Sequence, residues 1–192
     1  MKNNRVFMPP YDYDNSSYTR CATAIDTEKE DLCGVFPLNL FLGGTIDNGN
    51  SLDWQKALTD ELNSCDTVHP IMIYNPRRKE WLAAEAHDEI DKQINWELYH
   101  LERADLIVMN ILPKSKSPIS LMEIGLFAKE HKLMVFCNEN FYRFDNVRVV
   151  CERYGVPLYN TNDILVIKNK VLEYANKEAE HVYNKAIREA ME

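Results

Sequence analysis

Apolar positions along this chain fall into two kinds of stretch, short continuous runs and longer segments with helical spacing, and from residue 35 onward the two alternate. Val35–Leu42 (VFPLNLFL) predicts a strand ending in Gly43-Gly44-Thr45, with a helix over Ser51–Asn63 behind it. His69–Tyr74 (HPIMIY) predicts a second strand. Across Glu85–Arg103, Ile90, Ile94, Leu98 and Leu101 recur at the spacing of an amphipathic helix. Asp105–Leu112 predicts a third strand, Ile119–His131 a helix, Leu133–Cys137 a fourth strand and Val147–Tyr154 another helix. A short strand around Pro157–Tyr159 closes the series.

Strands alternating with helices through short connections predict an α/β fold: a doubly wound, five-stranded parallel sheet of the flavodoxin or Rossmann-like kind. Right-handed crossovers would gather the loops that follow the strands on one edge. Residues 1–34 are polar, tyrosine-rich and aperiodic, and are expected to form an irregular arm or short hairpin. Residues 35–165 form the expected domain and 166–192 a C-terminal helix, whose pattern begins at Asp163. Val171, Ala175, Ala179, Val182, Ala186 and Ala190 mark one small-residue stripe on it, suited to covering a sheet or a partner helix.

Composition narrows the functional classes. With 192 residues the chain can bury a full core as one domain. The net charge of −8 argues against a polyanionic partner. The basic cluster Arg77-Arg78-Lys79 is too short to track a nucleic-acid backbone. No apolar run approaches the roughly 20 residues of a membrane span, and the N-terminal segment lacks the apolar core of a signal peptide. The five cysteines are scattered and never paired as Cys-x-x-Cys, so buried free thiols in a cytoplasmic protein are expected.

Chemistry concentrates in loops that follow strands. Ser117-Pro118 signals a helix start, a hydroxyl N-cap before a proline at the first helical position. This puts Glu123 in the second turn behind the third strand, where open α/β sheets bind ligands. Ser120-x-x-Glu123 also fits a capping box, in which the glutamate merely closes the helix, and the motif alone leaves both roles open. Gly43, Gly44 and Thr45 form a tight strand-to-helix turn that is neither a Gly-x-Gly-x-x-Gly nor a phosphate-binding P-loop. Asn75, Arg77, Arg78 and Trp81 follow the second strand and suit either an anion clamp or a solvated loop. Glu97 lies in the long helix eight residues before Asp105. His87-Asp88 lacks the further ligands of a metal phosphohydrolase, and no Gly-x-Ser-x-Gly elbow is present. No metal or cofactor is called for.

Taken together, FLGGTID with DWQ (Phe41–Asp47, Asp53–Gln55), NPRR with Trp81, QINWEL (Gln93–Leu98), Ala104-Asp105, SPISLMEIGL (Ser117–Leu126) and FCNENFYRFDNVRVVCERYG (Phe136–Gly155) resemble the nucleoside 2-deoxyribosyltransferase family over roughly Leu40–Val156. The resemblance implies that Glu123 is a nucleophile attacking the anomeric carbon. It implies that Glu97 binds the base or moves its proton, and that Phe41, Gly43, Gly44, Thr45 and Ser117 lie beside the sugar. It also implies a homodimer or higher homo-oligomer with shared sites, for which Arg143 and Asn146 are the candidate contributions from a neighbour.

The resulting expectation is cleavage of the N-glycosidic bond of 2′-deoxyribonucleosides through a glycosyl-glutamate, with transfer to another base or to water. A nucleoside 5′-monophosphate N-glycosidase, a non-catalytic nucleotide-derivative binding module and a structural subunit are the alternatives. Two departures bear on the choice. Phe41 stands where the family has a tyrosine that touches the nucleophile, with Tyr74 and Tyr99 as possible stand-ins for its hydroxyl. Asp47 stands where related nucleotide hydrolases have a phosphate-gripping arginine, a role Arg77 or Arg78 would have to assume.

Overall fold

The structure, a computed structural model, describes residues 5–8, 37–65, 71–78 and 87–191. Within these, strands β1 (Arg5–Phe7), β2 (Leu38–Gly44), β3 (Ile71–Tyr74), β4 (Leu106–Ile111), β5 (Leu133–Cys137) and β6 (Leu158–Tyr159) alternate with helices. The helices are α1 (Trp54–Asn63), α2 (His87–Arg103), α3 (Pro118–Phe127), α4 (Phe144–Tyr154) and α5 (Ile164–Met191). All strand pairs are parallel, in the order β1-β3-β2-β4-β5-β6.

The five strands expected from the pattern are present, and the sixth comes from the segment expected to be an irregular arm or hairpin. Arg5, Val6 and Phe7 pair in parallel with Met72, Ile73 and Tyr74, and Phe7 stacks on Tyr74 at 5.4 Å between ring centroids. A three-residue edge strand has no period of its own to read; its partner lies far along the chain.

Burial on both faces explains the continuous apolar runs. Phe41, Ile107, Met109, Ile111, Val135 and Cys137 face one way and pack with Trp96, Ile124, Phe127 and Val147 from α2, α3 and α4. Leu40, Leu42, Ile73, Val108 and Phe136 face the other way, against Trp54, Leu58 and Leu62 of α1 and Ile167 and Val171 of α5. The small-residue stripe is thus put to use where it begins: Val171 and Ala175 are buried, while Ala179 is half-buried. The side chains of Val182, Ala186 and Ala190 lie outside the described residues, as do Cys21, Cys33 and Trp81. No helix among the described residues is long and apolar enough to cross a membrane.

Local chemistry sets the element ends. Asp53 caps α1 by accepting from the Lys56 backbone N–H at 3.0 Å. Asp105 holds the starts of β2 and β4 together, accepting from the backbone and side-chain nitrogens of Asn39 at 2.7 and 2.9 Å. Cys137 and Cys151 are buried free thiols whose pKa values burial pushes up to about 12 and about 11, too high for reactive thiolates at neutral pH.

The topology decides where a ligand fits. The chain passes from β2 to β3 on one side and then crosses to β4 on the other. The loops leaving the carboxyl ends of β2 and β4 therefore diverge. Such a switch point opens a crevice at the edge of the sheet.

Candidate active site

Gly43 and Gly44 end β2 opposite Met109 and Asn110 of β4. Gly44 adopts φ +130°, and a Cβ there would collide with the Asn110 backbone. Only glycine permits this approach, and the closeness of the two strand ends makes room for the turn beyond them. Between the diverging loops lies a cavity of about 310 Å³, walled by Phe41, Gly43 and Gly44 from β2 and by Asp47 and Asn48 from the following turn. Gln93 and Glu97 of α2 and Ser117, Ser120 and Glu123 at the start of α3 complete it.

Both carboxyl groups singled out in the sequence thus line one cavity. Glu123 is 7% exposed. Burial pushes its pKa up to about 8, and the charge of Glu97 pushes it in the same direction. Glu97 is raised to about 7, mainly by burial, against the lowering effects of a hydrogen bond from Gln93 and the charge of Arg78. Near neutrality the pair retains at least one proton, the condition for a carboxylate and a carboxylic acid to work side by side. Glu123 is not a helix cap: it lies in the second turn, and the helix begins at Ser117.

Ser117 begins α3 in a different way from that expected. It adopts φ 44° and makes no capping hydrogen bond through its side chain. Its hydroxyl belongs to a buried chain, 2.7 Å from Thr45 Oγ1 and 2.7 Å from Ser115 Oγ. Ser115 Oγ in turn donates to Asp47 Oδ1 at 2.7 Å, and Thr45 Oγ1 accepts from the Leu112 N–H at 2.9 Å. The two ends fix the direction. A carboxylate only accepts, so each hydroxyl passes its proton toward Asp47. Ser117 Oγ, with its proton given to Ser115, presents a lone pair to the cavity. Thr45, expected beside the sugar, is instead the buried knot of this network; its carbonyl also accepts from Trp54 Nε1 at 2.9 Å.

The NPRR loop divides into different tasks. Asn75 is buried, and its Oδ1 accepts from the Arg77 N–H at 2.9 Å, which shapes the loop. Arg77 turns away from the cavity and holds residues 49–55. Nη2 donates to the carbonyls of Gly49 and Ser51 at 3.0 and 2.8 Å, Nη1 reaches Gln55 Oε1 at 3.5 Å, and Nε lies 3.6 Å from Asp53. Arg78 Nη1 donates to Gln93 Oε1 at 3.0 Å. Neither guanidinium lines the cavity, so neither is placed to grip a ligand phosphate there.

The proposed hydroxyl stand-ins do not reach the site. Tyr74 donates to Asn39 Oδ1 at 3.2 Å, and Tyr99 lies under Arg103, 3.9 Å from its ring centroid. Phe41 packs toward Trp96, 6.4 Å between ring centroids. Arg143 and Asn146 lie on a separate cavity of about 320 Å³ between α3 and α4, with Leu121, Ile124 and Val150. Within one chain they do not meet Glu123.

Sequence reasoning passed over Gln93 and Ser115. Gln93 had a signal, four residues before Glu97 and hence on the same helix face. Ser115 had none beyond its place in the loop.

The arrangement is a polar crevice with a paired carboxylate and acid, glycines at one wall and a buried hydroxyl network behind Ser117 and Asp47. It suits substitution at a carbon bearing a leaving group. No curated protein matches the chain. The family model for nucleoside 2-deoxyribosyltransferase-like proteins matches residues 37–141, a span that holds all of the cavity wall named above, and the chain belongs to that family.

Proposed function

We propose that this protein cleaves the N-glycosidic bond of 2′-deoxyribonucleosides by covalent catalysis at Glu123. The observation that carries the reading is the pair of buried carboxyl groups, Glu97 and Glu123, brought by two helices to one cavity at the switch point. An oxygen of the Glu123 carboxylate bonds to the anomeric carbon as the carbon–nitrogen bond breaks. Glu97 gives its proton to the departing base. In the free protein Glu123 holds its proton more tightly than Glu97, about 8 against about 7. These roles therefore require the shared proton to sit on Glu97 in the substrate complex, a distribution that the positive charge developing on the oxocarbenium-like sugar favours. A second base or water then attacks the same carbon, the ester to Glu123 breaks, and Glu97 recovers a proton. Transfer and hydrolysis differ only in that acceptor.

The polar groups contributed by the loops after β2 and β4 support a nucleoside over a nucleotide. Asp47 lines the cavity with a negative charge, and Ser117 offers a lone pair, so both accept hydrogen bonds and suit a sugar hydroxyl. A phosphate, itself only an acceptor at its anionic oxygens, would face repulsion and no donor from these two groups.

The reading includes association of copies. α3 is apolar nearly all round, and Ile119, Met122 and Leu126 on it are exposed, next to exposed Tyr142 and Val149 around α4. A second copy covering that face would carry its own Arg143 and Asn146 toward the crevice; sedimentation showing only monomer at micromolar concentration would refute this arrangement.

The test of the activity is chromatography of deoxynucleosides mixed with free bases, incubated with wild type or Glu123→Ala. New nucleosides or free deoxyribose from wild type alone are expected. Equal turnover by the mutant would remove Glu123 as nucleophile.

A further inference from the structure

We infer that Arg78 and Gln93 are positioning residues that fix the proton of Glu97 on one oxygen, Oε2, and so give the acid a direction. The inference rests on the reading of Glu97 as the acid, and its premises are geometric. A guanidinium can only donate hydrogen bonds. Arg78 Nη1 lies 3.0 Å from Gln93 Oε1, so the amide oxygen must face the arginine. The amide nitrogen then has two acceptors, the Pro76 carbonyl at 3.2 Å and Glu97 Oε1 at 2.8 Å. Turning the amide over would set its NH2 against the guanidinium and its oxygen against a carbonyl, opposing like groups in both places. Held this way, Gln93 donates to Glu97 Oε1 in every protonation state.

An oxygen that is already accepting from Gln93 is the poorer place for a proton, since a protonated Oε1 would press its hydrogen against the amide. The proton belongs on Oε2, which has no hydrogen-bond partner among the described residues. When Oε2 loses that proton to a leaving base, the bond from Gln93 becomes a charge-assisted one and strengthens. The relay favours the ionised product of the transfer, and the same bond persists when Oε2 takes a proton back from the incoming base or water. The charged groups around Glu97 are Arg78, from the loop after β3, Glu123, from α3, and Asp47, on the wall of the same cavity in the turn after β2. Arg78 is itself buried, forms no ion pair at short range among the described residues, and its Nε has no partner there. With one proton shared between the two carboxyls, Arg78 balances the one charge that the pair carries.

The experiment follows the Glu97 carboxyl directly, by carbon-13 NMR titration of wild type, Gln93→Met, Gln93→Glu and Arg78→Met, with Glu97→Gln to assign the signal. The pH profile of kcat/KM is measured on the same proteins. Gln93→Met should raise the Glu97 titration by about one pH unit and move the alkaline limb of activity upward with it, because the bond removed favours the ionised form. Gln93→Glu, nearly isosteric, should raise both further and cost about a hundredfold in kcat, since the new carboxylate faces Oε1 and draws the proton away from Oε2. Arg78→Met should shift the titration in the same direction as Gln93→Met. An unshifted Glu97 titration in folded Gln93→Met overturns the inference, whatever the activity. A shifted titration in a protein that turns over no deoxynucleoside supports the relay while removing the proposed substrate. Activity with neither titration nor limb displaced does the reverse.

Discussion

Arg77 and Arg78 are adjacent on one loop, nearly equally buried at 7% and 8% exposure, and alike in chemistry, yet they belong to different regions of the molecule. Arg77 holds the loop after β2, with its donors directed at fixed carbonyls and at the Asp53 and Gln55 side chains of the α1 start. Arg78 points toward α2 and reaches the cavity only through Gln93 and Glu97. One region is a brace, its contacts made to the backbone of the loop and to the start of α1. The other is a short relay ending at a titratable group. The lesson is that a basic pair in a loop is not one feature: successive residues face different neighbours, and those neighbours decide what each charge does.

The largest expected effect comes from the frame behind Arg77. Gly44→Ala should destabilise by more than about 4 kcal/mol or prevent folding, because φ +130° and the Asn110 backbone both exclude a side chain. Expression and circular dichroism read this directly. Arg77→Met should cost about 2 kcal/mol in urea unfolding, since it leaves the part-buried carbonyls of Gly49 and Ser51 without their donor. A loss below about 1 kcal/mol would mean that the loop holds itself and that the comparison between the arginines is misdrawn.

The next effect is electrostatic and reverses sign with the region. Glu97 and Glu123 titrate in the folded chain above the ordinary carboxylate value, at about 7 and about 8. The native state therefore holds protons that the unfolded chain has released. The stability they confer is whole below about pH 4.5 and is lost as pH rises through these values. Glu123→Gln removes its own share of that loss and should raise the melting temperature at pH 8.5, gaining about 1.4 kcal/mol of stability for each pH unit between the unfolded value and about 8, with no gain near pH 4.5. Thermal scans at the two pH values decide it; an equal shift at both would put the cause in packing. His100 works in the opposite sense. Buried against Tyr74 and Trp96, it is held down to about 4, chiefly by burial, so its contribution is lost as pH falls from 6.5 toward 4. The two losses overlap between about pH 4.5 and 6.5, and because two carboxyls oppose one imidazole there, these three groups together favour the acid end of that range.

The smallest change in stability belongs to the relay. Arg78→Met should alter unfolding free energy by no more than about 1 kcal/mol, because loss of one hydrogen bond is offset by removal of a buried charge. A loss comparable with that of Arg77→Met would make Arg78 part of the frame and dissolve the contrast.

The order of strands and helices was legible because two-sided burial writes continuous apolar runs into strands and helical spacing into the segments that cover them. The GGT turn and the place of Glu123 were legible for a related reason: they stand at fixed distances from strand ends, and a parallel sheet brings such ends to one edge. Glu97, one helix glutamate among several, was singled out only by the family resemblance. The edge strand β1 was not, because three residues carry no period and its stability comes from pairing with β3. Nor were the tasks of Thr45 and Ser117 visible. Both are small hydroxyl residues beside a candidate site, but the left-handed backbone of Ser117 and the hydroxyl chain to Asp47 arise only when the loops after β2 and β4 meet.

The sequence by itself determined the α/β architecture, the edge of the sheet that bears the site, and the place of Glu123 there, since these depend on local periodicity and on spacing from strand ends. That Glu97 meets it was decided by how α2 packs against the sheet. Tertiary structure alone decided that Arg77 braces a loop while Arg78 acts through Gln93, and that Ser117 accepts where a serine cap would have closed a helix. Hydrogen-bond direction is set by the partner at the far end, and that partner is distant in the chain: Gly49 and Ser51 for Arg77, Gln93 for Arg78, and Asp47 for the hydroxyls.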